Sequence, residues 1–293
     1  VAAVFAAPAM ADVSISGQIN QEFFDAGADM QSDSNVDVVI KGSEDLGNGM
    51  KASFKIADVR DDGNGSSSAD QYVGLSGDFG SITAGRFEPY TESKVVAMAA
   101  NDASDALTIE TNLGNQTRTE GGMRYVSPNM NGFKVGFEGF AEENSAGDDF
   151  ATTTIFAEYS NGPLLVRVAN EETKSDAVAQ VAAVPGNAGT AAAAAVDNEI
   201  LTAAVQYKMG DTTFRVVHSD LDGGDDEQFY GVAHKMGANT IALSTINSDT
   251  ATDGDYIVSF KHALSKKTAV YVAVENDDSA SDDTTLVGIQ HKF

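Results

Sequence analysis

The sequence contains no cysteine, only five prolines against 28 glycines, and 18 basic residues against 44 acidic ones. Without cysteine there are no disulfides, thiolate metal sites or thiol nucleophiles, which suits a chain that crosses an oxidising compartment unfolded. Few prolines among many glycines spread along the chain favour frequent turns over long helices. The shortage of positive charge, a formal net charge of −26, leaves no basic footprint for a nucleic acid. Also missing is an apolar run of about eighteen residues, so no transmembrane helix is expected. The Ala-rich stretch 191–196 is too short for one, and Pro185, Gly186, Asn187 and Gly189 interrupt what precedes it. The four histidines, His218, His234, His262 and His291, show no metal-ligand spacing, and neither G-x-S-x-G nor H-E-x-x-H occurs.

Alternation dominates what is present. In "VSISGQINQEFF" Val13, Ile15, Ile19 and Phe23 fall on one side and Ser14, Ser16, Gln18 and Asn20 on the other. Met50, Ala52, Phe54 and Ile56 oppose Lys51, Ser53 and Lys55; Phe133, Val135 and Phe137 oppose Lys134, Gly136 and Glu138. Such a period of two marks β-strands with one apolar face. Sixteen strands are expected, at 13–24, 35–45, 49–59, 70–77, 79–86, 120–127, 132–142, 150–160, 163–171, 199–208, 211–220, 227–236, 239–247, 254–263, 267–276 and 284–293.

The connections alternate between tight turns, such as Asp45-Leu46-Gly47-Asn48-Gly49 and Asn161-Gly162, and longer acid-rich stretches, of which 87–119 is the longest. An even strand number, short turns at one end and long loops at the other describe an outer-membrane barrel, with the apolar face towards lipid and the polar face lining a wet lumen. In lipid every backbone group must pair, so the sheet has to close on itself. The run "VGIQHKF" keeps its apolar alternation to Phe293 and is expected to pair with residues near 13–24. By contrast the first eleven residues, "VAAVFAAPAMA", end Ala9-Met10-Ala11 before Asp12 and read as the tail of a secretory signal. Residues 1–11 are therefore set apart, 12–293 form the barrel domain, and export is expected.

Four stretches resemble the general bacterial porins, trimeric diffusion channels of Gram-negative outer membranes. They are "IKGSEDLGNGMKASFKI" (40–56), "YVGLSGDFGSITAGRF" (72–87), "MRYVSPNMNGFKVGF" (123–137) and the closing "VGIQHKF", in the family's order. The resemblance implies an all-β, 16-stranded antiparallel transmembrane β-barrel with an inward-folded third loop, a homotrimer, and a terminal aromatic, here Phe293, read by the outer-membrane assembly machinery. Its surroundings would be outer-membrane lipid and lipopolysaccharide, and its cargo small hydrophilic solutes and ions. The third loop would be 87–119, whose apolar "VVAMAA" (95–100) suits a helical turn on the inner wall.

In the family, acids on that loop face a ladder of basic wall residues, and the transverse field orients solutes and weights ion selectivity. Carried over, Arg86 keeps one ladder position, whereas others depart: Gln18 and Asp37 stand where bases are expected, and near the Pro128 turn Arg124 is present but Val126 follows Tyr125; Lys41, Lys51, Lys55 and Arg118 supply part of the missing charge. Strand parity alone would turn Arg86 to the lipid side with Ile82 and Ala84. A lipid-facing arginine costs about 2–4 kcal/mol at mid-membrane, so the lumen is the expected side. Glu88, Glu92, Asp102, Asp105 and Glu110 are the candidate loop acids. A thin basic ladder facing ample acid predicts a cation-preferring channel without a cofactor. Two other readings stay open: an acidic β-rich surface adhesin or binding protein, and an outer-membrane barrel enzyme. Calcium in acidic loops such as "DLDGGDDE" is a further expectation, although its spacing departs from an EF-hand.

Overall fold

The computed structural model of the 293-residue chain describes residues 12–25, 30–61, 65–99, 119–141, 150–175, 196–224, 226–248, 255–276 and 283–293. The segment 1–11 and the site candidates Asp102, Asp105, Glu110 and Arg118 lie outside them. Sixteen strands form the chain: β1 (Asp12–Asp25), β2 (Gln31–Gly47), β3 (Met50–Asp61), β4 (Gly65–Gly77), β5 (Gly80–Phe87), β6 (Thr119–Val126), β7 (Phe133–Phe140) and β8 (Thr152–Asn161). Then come β9 (Leu164–Ser175), β10 (Val196–Met209), β11 (Thr212–Leu221), β12 (Glu227–Met236), β13 (Asn239–Ser248), β14 (Tyr256–Ala263), β15 (Thr268–Asn276) and β16 (Thr284–Lys292).

Each strand pairs antiparallel with its sequence neighbours, and β1 pairs with β16, so the sheet is a closed barrel. The seam runs from Gln18 opposite Lys292 to Asp25 opposite Thr285. Phe293 extends it by one rung, donating its N–H to Gly17 O (3.0 Å) while its own carbonyl accepts from Gly17 N (3.2 Å). Its ring lies where a side chain on residue 17 would be, since a Cβ there would sit 2.6 Å from Phe293 Cζ.

Side-chain alternation sorts the two faces. Val13, Ile15, Ile19, Phe23, Val73, Phe133, Ile155, Tyr207, Phe214, Tyr230 and Phe260 all point away from the barrel and are exposed on the isolated chain. So wide an apolar belt has no partner among the described residues, and hydrocarbon is the medium that accommodates it. The opposite parity carries Ser14, Gln18, Glu22, Lys55, Arg124, Glu138 and Arg167, whose hydrogen bonds and ion pairs run along the inner wall.

Several strands outrun the periodicity. β2 begins at Gln31 rather than 35, β4 at Gly65 rather than 70, and β10 at Val196 rather than 199. The added residues, Gln31-Ser32-Asp33-Ser34 and Gly65-Ser66-Ser67-Ser68, are polar at both parities. Ladder hydrogen bonds continue through them although neither face is apolar, so alternation carries no signal there.

Candidate pore constriction

The segment after β5 does not continue the sheet. From Glu88 it enters a π-helical turn (Thr91–Val95) and then a 3₁₀ turn (Val96–Ala99). These turns reach across to β9, β10, β11 and β12. Tyr90, Val95, Val96 and Met98 form one apolar cluster with Phe156 of β8, Ala169 of β9, Ala204 of β10, Val217 of β11 and Phe229 of β12. All five wall residues have the inward parity, opposite to the exposed Ile155, Val168, Val205, Val216 and Tyr230. An Ala or Val at most of these positions keeps the wall low enough to seat the turns. The Tyr90 ring stacks on Phe156 with centroids 3.6 Å apart and planes within 7°.

Two arginine–glutamate pairs tie the seated segment to the wall, at Glu88–Tyr90 and at Lys94. Arg124 of β6 is ion-paired through Nε with Oε2 of Glu138 on β7, donates Nη2–H to Glu88 O (2.7 Å), and lies over the Phe87 ring at 4.5 Å. Glu138 is fully buried, and its other oxygen accepts the Tyr90 backbone N–H at 2.6 Å. Six residues further on, Arg167 of β9 donates Nη1–H to Lys94 O (2.8 Å) and Nε–H to Glu158 Oε2 (2.8 Å). The other Glu158 oxygen accepts from Lys134 at 3.4 Å. Burial is the main reason the Tyr90 hydroxyl is pushed up to about 12, with the Glu158 charge adding to it. Lys94 is exposed on the segment's surface, yet partial desolvation by the surrounding wall and then the cationic neighbours Arg167, Arg124 and Lys55 lower its pKa.

The residues singled out in the sequence fall as follows. Lys41 and Lys55 face one another across β2 and β3 on the inward parity, and Lys55 is ion-paired with Asp70 at 2.5 Å. Asp37 accepts from Gln18 at 2.9 Å, so two positions expected to be basic instead form a neutral-to-acid pair. Arg86 stands opposite Gln71, counted on the parity of Ile82 and Ala84 but lying within the register shift between Gly85 and Phe87, and its Nε is buried. Glu88 supplies the carbonyl that Arg124 grips, and Glu92 lies in the first turn of the seated segment. Sequence reasoning missed Glu138, Glu158 and Arg167 as site residues, and also Lys94, a base on the loop where acids were expected. Lys134 and Glu138 already shared the polar parity of 133–141, and Arg167 is the one charge within Leu164–Ala169.

The family model for Gram-negative porins matches residues 1–282. The chain belongs to the Gram-negative porin family. This porin is 23% identical over 282 residues to the major outer membrane protein P.IB of Neisseria lactamica, covering 86% of this chain and 82% of that one. An anion-selective porin from Comamonas acidovorans superposes with a TM-score of 0.70 at 23% identity, over 97% of this chain and 100% of that one. The trimer form of OmpT of Vibrio cholerae gives 0.67 at 13% identity, over 97% and 99%. At such identities the two structures establish the barrel fold. Family and relatives place the porin in the outer membrane of a Gram-negative bacterium.

Proposed function

We propose that the porin is a homotrimer of water-filled, cation-preferring pores for passive diffusion of small hydrophilic solutes and ions, with no catalytic step and no cofactor. The observation that carries the cation preference is the pairing of wall bases. Lys55 is tied to Asp70, Arg124 to Glu138, and Arg167 and Lys134 to Glu158, within a chain of net charge −26. A base paired one-to-one presents a dipole rather than a net charge, and the two bases on Glu158 leave a single positive charge, so the chain's surplus acid sets the sign of the field that an entering ion meets. The constriction in this reading is lined by Arg86, Arg124, Lys41, Lys55 and Asp37 from the wall and by Glu88, Glu92, Asp102, Asp105, Glu110 and Arg118 from the connector. The trimer form of OmpT supports the assembly state, and Phe293 is the residue offered to the assembly machinery before the seam closes against lipid and lipopolysaccharide. Calcium in the loop around Asp220–Glu227 would be an accessory ion, visible as calcium-dependent heat stability.

The test is the zero-current potential of the reconstituted trimer in a potassium chloride gradient. A potential of the sign set by potassium supports the reading. A potential of the sign set by chloride, the behaviour named for the Comamonas protein, overturns it without touching the fold.

A further inference from the structure

We propose that Arg124 and Arg167 are positioning residues, a pair of clamps that hold the constriction segment on the wall at its entry and at its midpoint and set how often the open pore closes. Each guanidinium makes two hydrogen bonds among the described residues, and only one of the two acceptors is a charge. Arg124 spends Nε on Glu138 and Nη2 on the Glu88 carbonyl; Arg167 spends Nε on Glu158 and Nη1 on the Lys94 carbonyl. Both main-chain oxygens belong to the segment and both carboxylates belong to the wall, so each arginine is a tie between the two. The Lys94 carbonyl lies at the end of the π-helical turn, where helical carbonyls lack partners within the helix. Arg167 satisfies it from the wall. At the entry Glu138 holds the Tyr90 N–H as well, so this clamp grips one acceptor and one donor two residues apart. Tyr90 between the clamps and Val95, Val96 and Met98 just beyond the second seat the turns in the apolar cluster, which, being non-directional, does not fix their register.

The two clamps differ. Glu138 is fully buried and the Arg124 side chain 15% exposed, whereas Arg167 and Glu158 are 19% and 16% exposed. The Arg167 clamp is therefore the one that salt screens and the one that lifts first. The fork is the essential feature. A lysine at 167 keeps the charge, but its single ammonium lacks the planar fork that reaches Glu158 and Lys94 O together. Loss of one charge-assisted hydrogen bond shifts the balance between seated and lifted segment by roughly tenfold.

The inference rests on the channel reading but not on its cation preference. Its test is the frequency of transient closures in single trimers, recorded beside the heat-dissociation temperature of the same preparation. R167K and R167Q are expected to raise closure frequency about tenfold and alike, although only the second removes a charge, while the dissociation temperature of the barrel stays within the spread of the wild type. Wild-type closures should rise with salt, and that rise should be absent in R167Q. Closures at wild-type frequency in R167K, with an effect in R167Q alone, would mean that the charge matters and the fork does not, and would overturn the proposal. If R124Q fails to assemble, E138Q serves at the same clamp, since it removes the ion pair while keeping an acceptor for Tyr90. Wild-type closure frequency in both E138Q and R167K would also overturn it. A chloride-signed zero-current potential would sink the cation preference and leave this inference standing.

Discussion

Gly136 carries no functional group, yet its replacement by alanine is expected to disturb the pore from beneath. It sits on the inward parity of β7, opposite Phe156 of β8. A Cβ there would lie 2.2 Å from Phe156 Cζ and 2.5 Å from the Tyr125 carbonyl oxygen. Ordinary contact starts near 3.4 Å, so the ring must move by more than an ångström, because the backbone oxygen is fixed by the ladder. Phe156 has no slack above it, since Tyr90 stacks on it at 3.6 Å. Overpacking of this kind costs about 1–3 kcal/mol, and loss of the stacking geometry about 0.5–1.5 kcal/mol. The ring clash falls on the seat of the constriction, and the contact with the Tyr125 carbonyl adds a smaller local shift in the β6–β7 pairing. The expected outcome for Gly136→Ala is a changed unit conductance and noisier open channels, with the folded barrel still resistant to dissociation in detergent until heated. Phe156→Ala, which removes the shelf instead of displacing it, should disturb the pore in the same way. Wild-type conductance and noise in Gly136→Ala would refute the claim that this wall carries the segment.

Glu138→Ala removes a fully buried carboxylate from Arg124 and from the Tyr90 N–H. Breaking such a pair costs about 3–5 kcal/mol, so its heat dissociation should fall further than that of Glu158→Ala, and equal losses would contradict the burial argument. Phe293→Ala leaves the Gly17 rung without its covering ring, and a reduced yield of assembled trimer is expected, with normal conductance in those that form. Lys94 is depressed by partial desolvation and neighbouring cations, so it sheds its proton at a lower pH than an ordinary lysine. Raising the pH through that range removes a positive charge from the constriction, and the zero-current potential should move towards stronger cation preference. Lys94→Gln should lack the shift, and an identical shift in that variant would assign it to another group.

The barrel was legible because lipid on one side and water on the other impose strict alternation, as at Val13–Phe23 or Met50–Ile56. Above the membrane belt that rule lapses, which is why Gln31–Ser34 and Gly65–Ser68 extend strands without announcing it. Arg124 was legible through its family stretch. Its partner Glu138 was visible only as an inward-facing acid, since parity says nothing about which carboxylate a descending loop will bury. Arg167 and Glu158 sit nine positions apart on neighbouring strands, and their meeting depends on the hairpin register that sets Glu158 opposite Arg167. The contact of Arg167 with Lys94 spans 73 positions and follows from the path of the segment across the lumen, which no local pattern encodes.

The central claim is that residues 90–99 sit in the ion path. The absence of native cysteine allows a direct measurement: Lys94→Cys, the only thiol in the chain, modified with a bulky water-soluble thiol reagent during planar-bilayer recording. Conductance is expected to fall as each subunit is labelled, and the fall should reverse on reduction. Complete labelling with unchanged conductance would contradict the claim that this segment forms the constriction.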